Sequence, residues 1–336
     1  MSESQTMIQT TATAGRTSPG LLGQMLRPDR LQANAVKVAT VLLCLWAAAL
    51  LPGFASAGNV ASIMYATAAV GIAAVGMALI TLSGHLFMLS MGATAAVSSI
   101  VFAATLQFGL AAAILAVLLV GGLIGLLQGI TVGVARANPI ISTIAMSSIV
   151  LGFGSLYSGG LTVVGHGDAS WLAVGRMAFG IPNQILLFVL FALLMSFVME
   201  RTRFGRELRL VGLNPVAAQF AGMRVTRMLV LAYVLAAASA AFAGALYGSQ
   251  AAQGNLRLGI GLDFDAIAAV LVGGIAIKGG QGRILDAAMG AVFLAVISNV
   301  LLLAGLSMEI QLIVKGAVVI ASVMLGAFAL KFGVSK

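Results

Sequence analysis

Apolar residues run along this chain in ten long blocks, separated by short polar or glycine-rich breaks. Their bounds are 33–55, 59–82, 84–107, 109–134, 139–158, 183–200, 227–248, 262–279, 284–304 and 308–330. Most approach the roughly 20 residues that a helix needs to cross about 30 Å of hydrocarbon. Blocks two and three form one stretch, divided only by Ser83-Gly84-His85. The pattern predicts an all-α polytopic membrane protein of about ten transmembrane helices.

Composition removes the soluble alternatives. Hydrophobic residues make up 61% of the chain and charged residues 8%, with a mean hydropathy of +1.11. A soluble domain carries about 25% charged residues to cover its surface. The net charge of +9 comes from 18 Lys and Arg against nine Asp and Glu. These cations sit between apolar blocks, which fits topology better than nucleic-acid binding.

Placing residue 1 in the cytoplasm puts fifteen of the 18 basic residues on the cytoplasmic side. Only Arg176 and Arg257 fall outside, and Lys315 lies within a span. Asp168, Asp263, Asp265 and Glu309 then lie at or beyond the outer face. The positive-inside bias therefore predicts both termini in the cytoplasm. Residues 1–32 form an expected cytoplasmic tail, with the first 27 poor in large apolar residues and disordered. Ala55-Ser56-Ala57 resembles a signal-peptidase site, but it lies too far along the chain and follows a block long enough to span. Residues 33–331 form the transmembrane domain.

Block three, around Leu82–Gly92, and block eight, around Asp263–Gly282, are both interrupted by glycine. They lie five spans apart, so two five-helix halves would run in opposite senses. Interrupted helices at matching positions in inverted halves point to a transport route near the bilayer midplane. Ile72-Ala73-Ala74-Val75 echoes Ile267-Ala268-Ala269-Val270 faintly. The Gly121-Gly122-Leu123-Ile124-Gly125 run suits close helix packing.

No soluble catalytic motif is present. The chain has no phosphate-binding G-x-x-x-x-G-K-[ST] loop and no G-x-S-x-G elbow. His85 and His166 fall on opposite faces and cannot share a metal. Cys44 is the single cysteine, a small apolar filler in a helix. The 200–227 loop is different in character. It carries six arginines around a small-residue stretch, Asn214 to Gly222. Asn214 can cap a short helix, Pro215 suits its first turn, and Gly222 can end it. A short arginine-rimmed helix outside the membrane reads as a docking element, or as arginines held at lipid headgroups.

Val216-Ala217-Ala218-x-x-x-Gly222 resembles the E-A-A-x-x-x-G cytoplasmic motif of ABC importer permeases. Thr202-Arg203-Phe204-Gly205-Arg206 resembles the ribose-type and branched-chain amino-acid-type permeases more specifically. Phe264-Asp265-Ala266-Ile267-Ala268-Ala269-Val270, Gly273-Gly274 and Gly279-Gly280-Gln281-Gly282-Arg283 are similar to the D-A-I-A-A-V-x-x-G-G-x-x-x-x-G-G-x-G-R block of the sugar permeases. Asn138-Pro139-Ile140-Ile141-Ser142-Thr143 and Gln311-Leu312-Ile313-Val314-Lys315-Gly316 extend the resemblance over about 59–325. Two departures stand out. Val216 replaces the motif's acid, so Arg206 or Glu207 would serve instead. Met88 stands where an aspartate is common in the G-G-I-D-L-S-x-G stretch.

The resemblance implies a permease subunit paired with a second permease chain, as a homodimer or heterodimer. Two cytoplasmic ATPases would dock on the 212–222 helices, contacting Arg206, Asn214, Ala217, Ala218 and Gly222. ATP and magnesium would belong to those partners, with no cofactor in this chain. An extracytoplasmic binding protein would deliver the solute to the permease, which would sit in a bacterial inner membrane. That solute is expected to be a simple sugar, with a branched-chain amino acid or nucleoside as alternatives. Gly273, Gly274, Gly279, Gly280 and Gly282 are the family's glycines.

Ser90, Thr143, Asp265 and Asn299 are the expected pathway residues. Ser90 and Asp265 flank the interrupted blocks, Thr143 follows a helix-opening proline, and Asn299 is an amide within an apolar span. Each has a structural alternative, since hydroxyls bond back to helix carbonyls and amides join helices. Lys315, roughly 10 Å inside its span, is expected to meet a carbonyl or Glu309. An ion-coupled secondary transporter would need embedded carboxylates, and these are scarce. An intramembrane enzyme would need a nucleophile–base pair or a metal cluster, and the chain supplies neither. A receptor or scaffold without transport remains open.

Overall fold

A computed structural model describes residues 28–177 and 180–333. Residues 1–27 of the expected tail lie outside the described residues. The first helix, α1 (Pro28–Leu50), begins inside the remainder of that tail. Proline suits this place because its missing N–H falls where a helix has no carbonyl to receive it.

The remaining spans follow in order. They are α2 (Ala57–Leu82), α3 (Met91–Thr105), α4 (Leu110–Gly133) and α5 (Pro139–Ser158). The short α6 (Ser170–Ala173) precedes α7 (Asn183–Arg201). Two surface helices, α8 (Arg203–Leu213) and α9 (Pro215–Phe220), lead into α10 (Val225–Ala251). The chain closes with α11 (Leu262–Val272), α12 (Ile284–Leu303) and α13 (Met308–Gly333).

Among the described residues, nine helices are long and apolar enough to cross a membrane. The eighth block is the exception. Its helix α11 has 11 residues, about 16 Å at 1.5 Å per residue and so roughly half a bilayer. The fold is all-α and polytopic. Strand β1 (Val163–Val164) pairs antiparallel with β2 (Gln253–Gly254), pinning the loop after α5 to the chain leaving α10, and a lone bridge joins Arg176 to Pro182.

Lipid gives helices no hydrophobic reason to associate, so close backbone packing must hold them. Helix α10 is the central post, with Ala232, Tyr233, Ala236, Ala237, Ala240 and Ala241 fully buried. Gly121, Gly125 and Gly129 of α4, four residues apart, face α10. A Cβ at Gly125 would lie 2.5 Å from the Tyr233 carbonyl oxygen, and one at Gly129 would lie 2.7 Å from Val230 Cα. Gly122 has nothing within 4 Å. The packing face is therefore Gly121/Gly125/Gly129, not the adjacent pair. Gly244 of α10 sits against the Ala95 carbonyl of α3, and Gly290 of α12 against the Ala269 carbonyl of α11.

Candidate translocation site

Two spans are interrupted, and their breaks are arranged in opposite senses. In the first, residues 83–90 are non-helical and α3 follows. In the second, residues 252–261 leave α10 as a turn, β2 and further turns before α11 begins. This second non-helical stretch descends along α3 rather than staying outside. Gly254 lies against Ser99 and Ile100, and Gly259 against Gly92 and Ala96. Both contacts are too close for a side chain: a Cβ at Gly259 would fall 1.9 Å from the Gly92 carbonyl oxygen.

The descent carries Asp263 to the N-terminus of α3, where its Oδ1 accepts a hydrogen bond from the Gly92 N–H at 2.7 Å. Thirteen residues of helix, about 20 Å, separate Gly92 from the far end of α3. Asp263 therefore lies well inside the bundle rather than at its outer face. Block eight is interrupted on both sides of α11: residues 252–261 precede it, outside the block as hydropathy bounds it, and the expected glycine-rich stretch, residues 273–283, follows it as non-helical chain. The first turns of α3 and α11 meet here, and the carboxylate complements the partial positive charge of helix N-termini.

At the other face the arginine-rich loop folds as two helices. Thr202 caps α8 by accepting from the Gly205 N–H at 3.4 Å. Gly205, Leu208, Val211 and Gly212 turn toward the bundle, while Arg203 and Arg206 turn away. Asn214 caps α9 by accepting from the Val216 and Ala217 N–H groups at 3.1 and 3.0 Å. Gly222 follows α9 with φ of +78°. Arg206 is exposed and donates to the Arg201 carbonyl at 3.3 Å. Ala218 is buried and Ala217 exposed. Beside them, Val216 is 60% exposed and Phe220 89% exposed. The Nε and Nη2 atoms of Arg209 are buried without a partner among the described residues.

Gly212, at the end of α8, touches both interrupted spans. A Cβ there would lie 2.0 Å from the Leu82 carbonyl oxygen and 2.8 Å from the Gly280 nitrogen. A Cβ at Gly279 would lie 2.5 Å from Gly84 Cα. The Gly280 N–H donates to the Leu82 carbonyl at 3.0 Å. Three chain segments thus meet backbone to backbone, which only glycine permits. Gly84, Gly279 and Gly280 also hold φ between +72° and +87°, a region costly for other residues. Gly273 serves a different contact, against the Asp286 carbonyl of α12. Gly274 and Gly282 have φ of +86° and +122°.

A cavity of about 620 Å³ opens among α2, α6, α10, α11, α12 and α13, toward the face opposite the arginine-rich loop. Its polar lining is Ser62, Tyr65, Tyr247, Gln250, Asp265, Ser298 and Lys315. Lys315 Nζ meets Asp265 Oδ1 at 3.1 Å, with 19% and 33% of the two side chains exposed. Lys315 thus meets Asp265 rather than Glu309.

The other expected pathway residues lie elsewhere. Ser90 is fully buried, and its hydroxyl accepts from the Gln128 amide of α4. Thr143 donates back to the Pro139 and Ile140 carbonyls, 2.9 and 3.1 Å away. Asn299 exchanges hydrogen bonds with Asn59 at 2.7 and 2.9 Å, joining α12 to α2. Met88 is fully buried, its N–H against the Met77 sulfur at 3.3 Å. Among the expected residues, Asp265 and Lys315 line the cavity. The residues that sequence reasoning passed over had a signal. Ser62/Tyr65 and Tyr247/Gln250 are polar or amphipathic pairs at i, i+3, which share one helix face.

The family described as branched-chain amino acid transport system / permease component matches residues 59–323. The ribose import permease protein RbsC of Escherichia coli strain K12 is 30% identical over 294 residues, covering 85% of this chain and 91% of that protein. The probable ABC transporter permease protein YphD of the same strain is 35% identical over 277 residues, covering 81% and 82%. The galactose/methyl galactoside import permease protein MglC of Haemophilus influenzae is 32% identical over 237 residues, covering 68% and 70%. No solved structure matches. Multi-pass architecture, interrupted spans and this match agree: the chain belongs to the branched-chain amino acid transport system permease family.

Proposed function

We propose that this chain is the membrane-spanning subunit of an ATP-driven importer for a simple sugar in a bacterial inner membrane. The junction of Gly212 with Leu82, Gly84 and Gly279-Gly280 carries this reading. It joins the exposed α8–α9 surface rigidly to both interrupted spans. An ATP-driven transporter whose membrane chain carries no phosphate-binding loop needs a separate ATPase, and a backbone-to-backbone contact transmits a push with little slack. The exposed Phe220 and Val216 on α9 offer that ATPase an apolar contact.

In this assembly two ATPases, holding ATP and magnesium, dock on α8–α9 in the cytoplasm. A second permease chain completes the membrane portion, and a binding protein delivers solute to the opposite face. Both termini are cytoplasmic. The import permeases for ribose and galactose among the relatives support a sugar as cargo.

The test is native mass spectrometry of the complex extracted gently from its own membrane, followed by reconstitution in liposomes. The expected mass is two permease chains plus two ATPases, with uptake of ribose or galactose that requires ATP. A lone permease that moves solute without ATP would sink the reading. ATP-dependent uptake of a branched-chain amino acid instead of a sugar would overturn the cargo alone.

A further inference from the structure

We propose that the cavity between α2, α10, α11, α12 and α13 is a solute-binding vestibule inside a single permease chain, built for a neutral polyhydroxylated molecule. The inference rests on the importer reading for its cargo and goes beyond it by naming where the solute binds.

Size and depth come first. At about 620 Å³, the cavity falls within the roughly 300–1,000 Å³ of small-molecule sites. Its walls run inward from helix ends at the solvent face. Ser298 lies five residues from the end of α12, and Ala291 twelve residues. At 1.5 Å per residue that is a depth of about 8 to 18 Å. The vestibule therefore opens on the face opposite the α8–α9 surface and ends near the middle of the bundle. Ala173 and Val174, on and just after α6, close part of its mouth.

The lining selects the ligand. The charged groups in the wall are one carboxylate and one ammonium, 3.1 Å apart and each partly exposed to the cavity. Their charges offset, so an ionic solute finds no net complement and would have to break the pair. An apolar solute would displace water from these groups and from Gln250 without replacing its hydrogen bonds. A hydroxyl both donates and accepts. Adjacent hydroxyls on one molecule can donate to Asp265 Oδ2 while accepting from Lys315 Nζ, leaving the pair intact. Ser62 and Ser298 donate to the Gly58 and Leu294 carbonyls, so their oxygens face the solute as acceptors. The rings of Tyr65 and Tyr247 and the aliphatic Leu294 supply apolar area for the C–H faces of a sugar ring.

The test uses cysteine accessibility. Cys44, the native cysteine, is replaced by Ala, and Ala295→Cys places a thiol in the wall at a residue without polar duties. The complex, with its ATPase and binding-protein partners, is placed in nanodiscs and labelled with a charged, water-soluble methanethiosulfonate. Ribose and galactose compete, with gluconate and leucine as ionic and zwitterionic controls. The expected result is protection by the neutral sugars and none by the controls. Sugar at twice its dissociation constant slows labelling about threefold by simple occupancy. A plugged variant, Ala295→Trp, is expected to abolish ATP-driven uptake while ATP hydrolysis and assembly persist.

Three results overturn the vestibule. One is free labelling that no sugar slows. Another is normal uptake through the plugged variant. The third is a thiol unreactive until lipid is stripped away, which assigns the cavity to an acyl chain or headgroup. If ATP-driven sugar uptake persists in any of these, the importer reading stands and the vestibule falls. If sugars protect the thiol but no ATP-driven uptake occurs, the vestibule stands and the importer reading falls.

Discussion

Gly212→Ala is the sharpest perturbation available, because one methyl group tests the contact that links α8 to the spans. The new Cβ would sit 2.0 Å from the Leu82 carbonyl oxygen and 2.8 Å from the Gly280 nitrogen. Heavy atoms pack comfortably at roughly 3.5 Å, so one segment must move by about 1 Å or more. Both neighbours are backbone and cannot swing aside as a side chain would. Within helix α8, alanine is intrinsically better than glycine by about 1 kcal/mol. Overpacking costs about 1–3 kcal/mol, and rigid backbone neighbours put this site at the upper end. The net loss is about 1–2 kcal/mol, enough to reduce the docked junction about tenfold.

The assay measures ATP-driven sugar uptake and ATP hydrolysis in the same liposomes, with thermal unfolding of the complex alongside. The expected outcome is about tenfold less uptake per ATP hydrolysed, with a small fall in melting temperature. Gly122→Ala is the control, since nothing lies within 4 Å of that position. Uptake per ATP and melting that both match wild type in Gly212→Ala would refute the reasoning.

Other substitutions separate structural from transport roles. Asn59→Leu strands the buried Asn299 amide and is expected to lower stability by about 1–2 kcal/mol, while Asn299→Leu, which leaves the half-buried Asn59 bonded to the Phe54 carbonyl, is expected to cost less. The double Leu variant should regain most of that stability and still transport, and a transport-dead but stable double variant would make Asn299 a pathway residue. Asp265→Asn or Lys315→Gln alone leaves one charge unpaired and is expected to destabilise more than the double change, read as a coupling in a double-mutant cycle of melting temperatures. Additive losses would show that the pair does not couple. Gly125→Leu forces α4 from α10, where 2.5 Å separates a Cβ from the Tyr233 carbonyl, and is expected to abolish accumulation of folded protein in membranes. Normal accumulation would contradict that packing. Asp168 accepts from the Ser170 hydroxyl and from the Ser170 N–H, the latter at 2.8 Å, and these bonds hold its carboxyl below the usual range. Its contribution to ordering the loop is present above the ordinary carboxylate range and fades as pH falls through the lowered value. Asp168→Asn is expected to remove that acid dependence from proteolysis of the loop, and an unchanged pH profile would assign it elsewhere.

The spans were legible because a helix in lipid must satisfy its own backbone and present apolar side chains, and both leave a long hydropathy signal. The α9 helix was legible for a local reason: Asn214, Pro215 and Gly222 are start and stop signals acting over one or two turns. The breaks were half legible. Glycines marked residues 82–92 and 273–283, but the interruption before α11 begins at Ala252, where the sequence still reads as an outer loop. Its descent is fixed by Gly254 and Gly259 fitting against α3, residues more than 150 positions away.

The same distinction separates the polar residues. Sequence identifies Ser90, Thr143, Asn299 and Asp265 as polar groups in apolar surroundings, but not where each finds its partner. Asn59 lies 240 residues before Asn299, and Lys315 lies 50 after Asp265. Hydropathy and local chemistry act along the chain, so the sequence alone determined the membrane class, the helical blocks, the caps and the family. Pairings across the bundle depend on which helix faces meet, which close packing of Gly and Ala decides. Only the tertiary structure therefore distinguished the Asn59–Asn299 clasp from the Asp265–Lys315 cavity wall. It also brought Gly212, Gly84 and Gly279 into one junction, because three backbones can approach that closely only where no side chain intervenes.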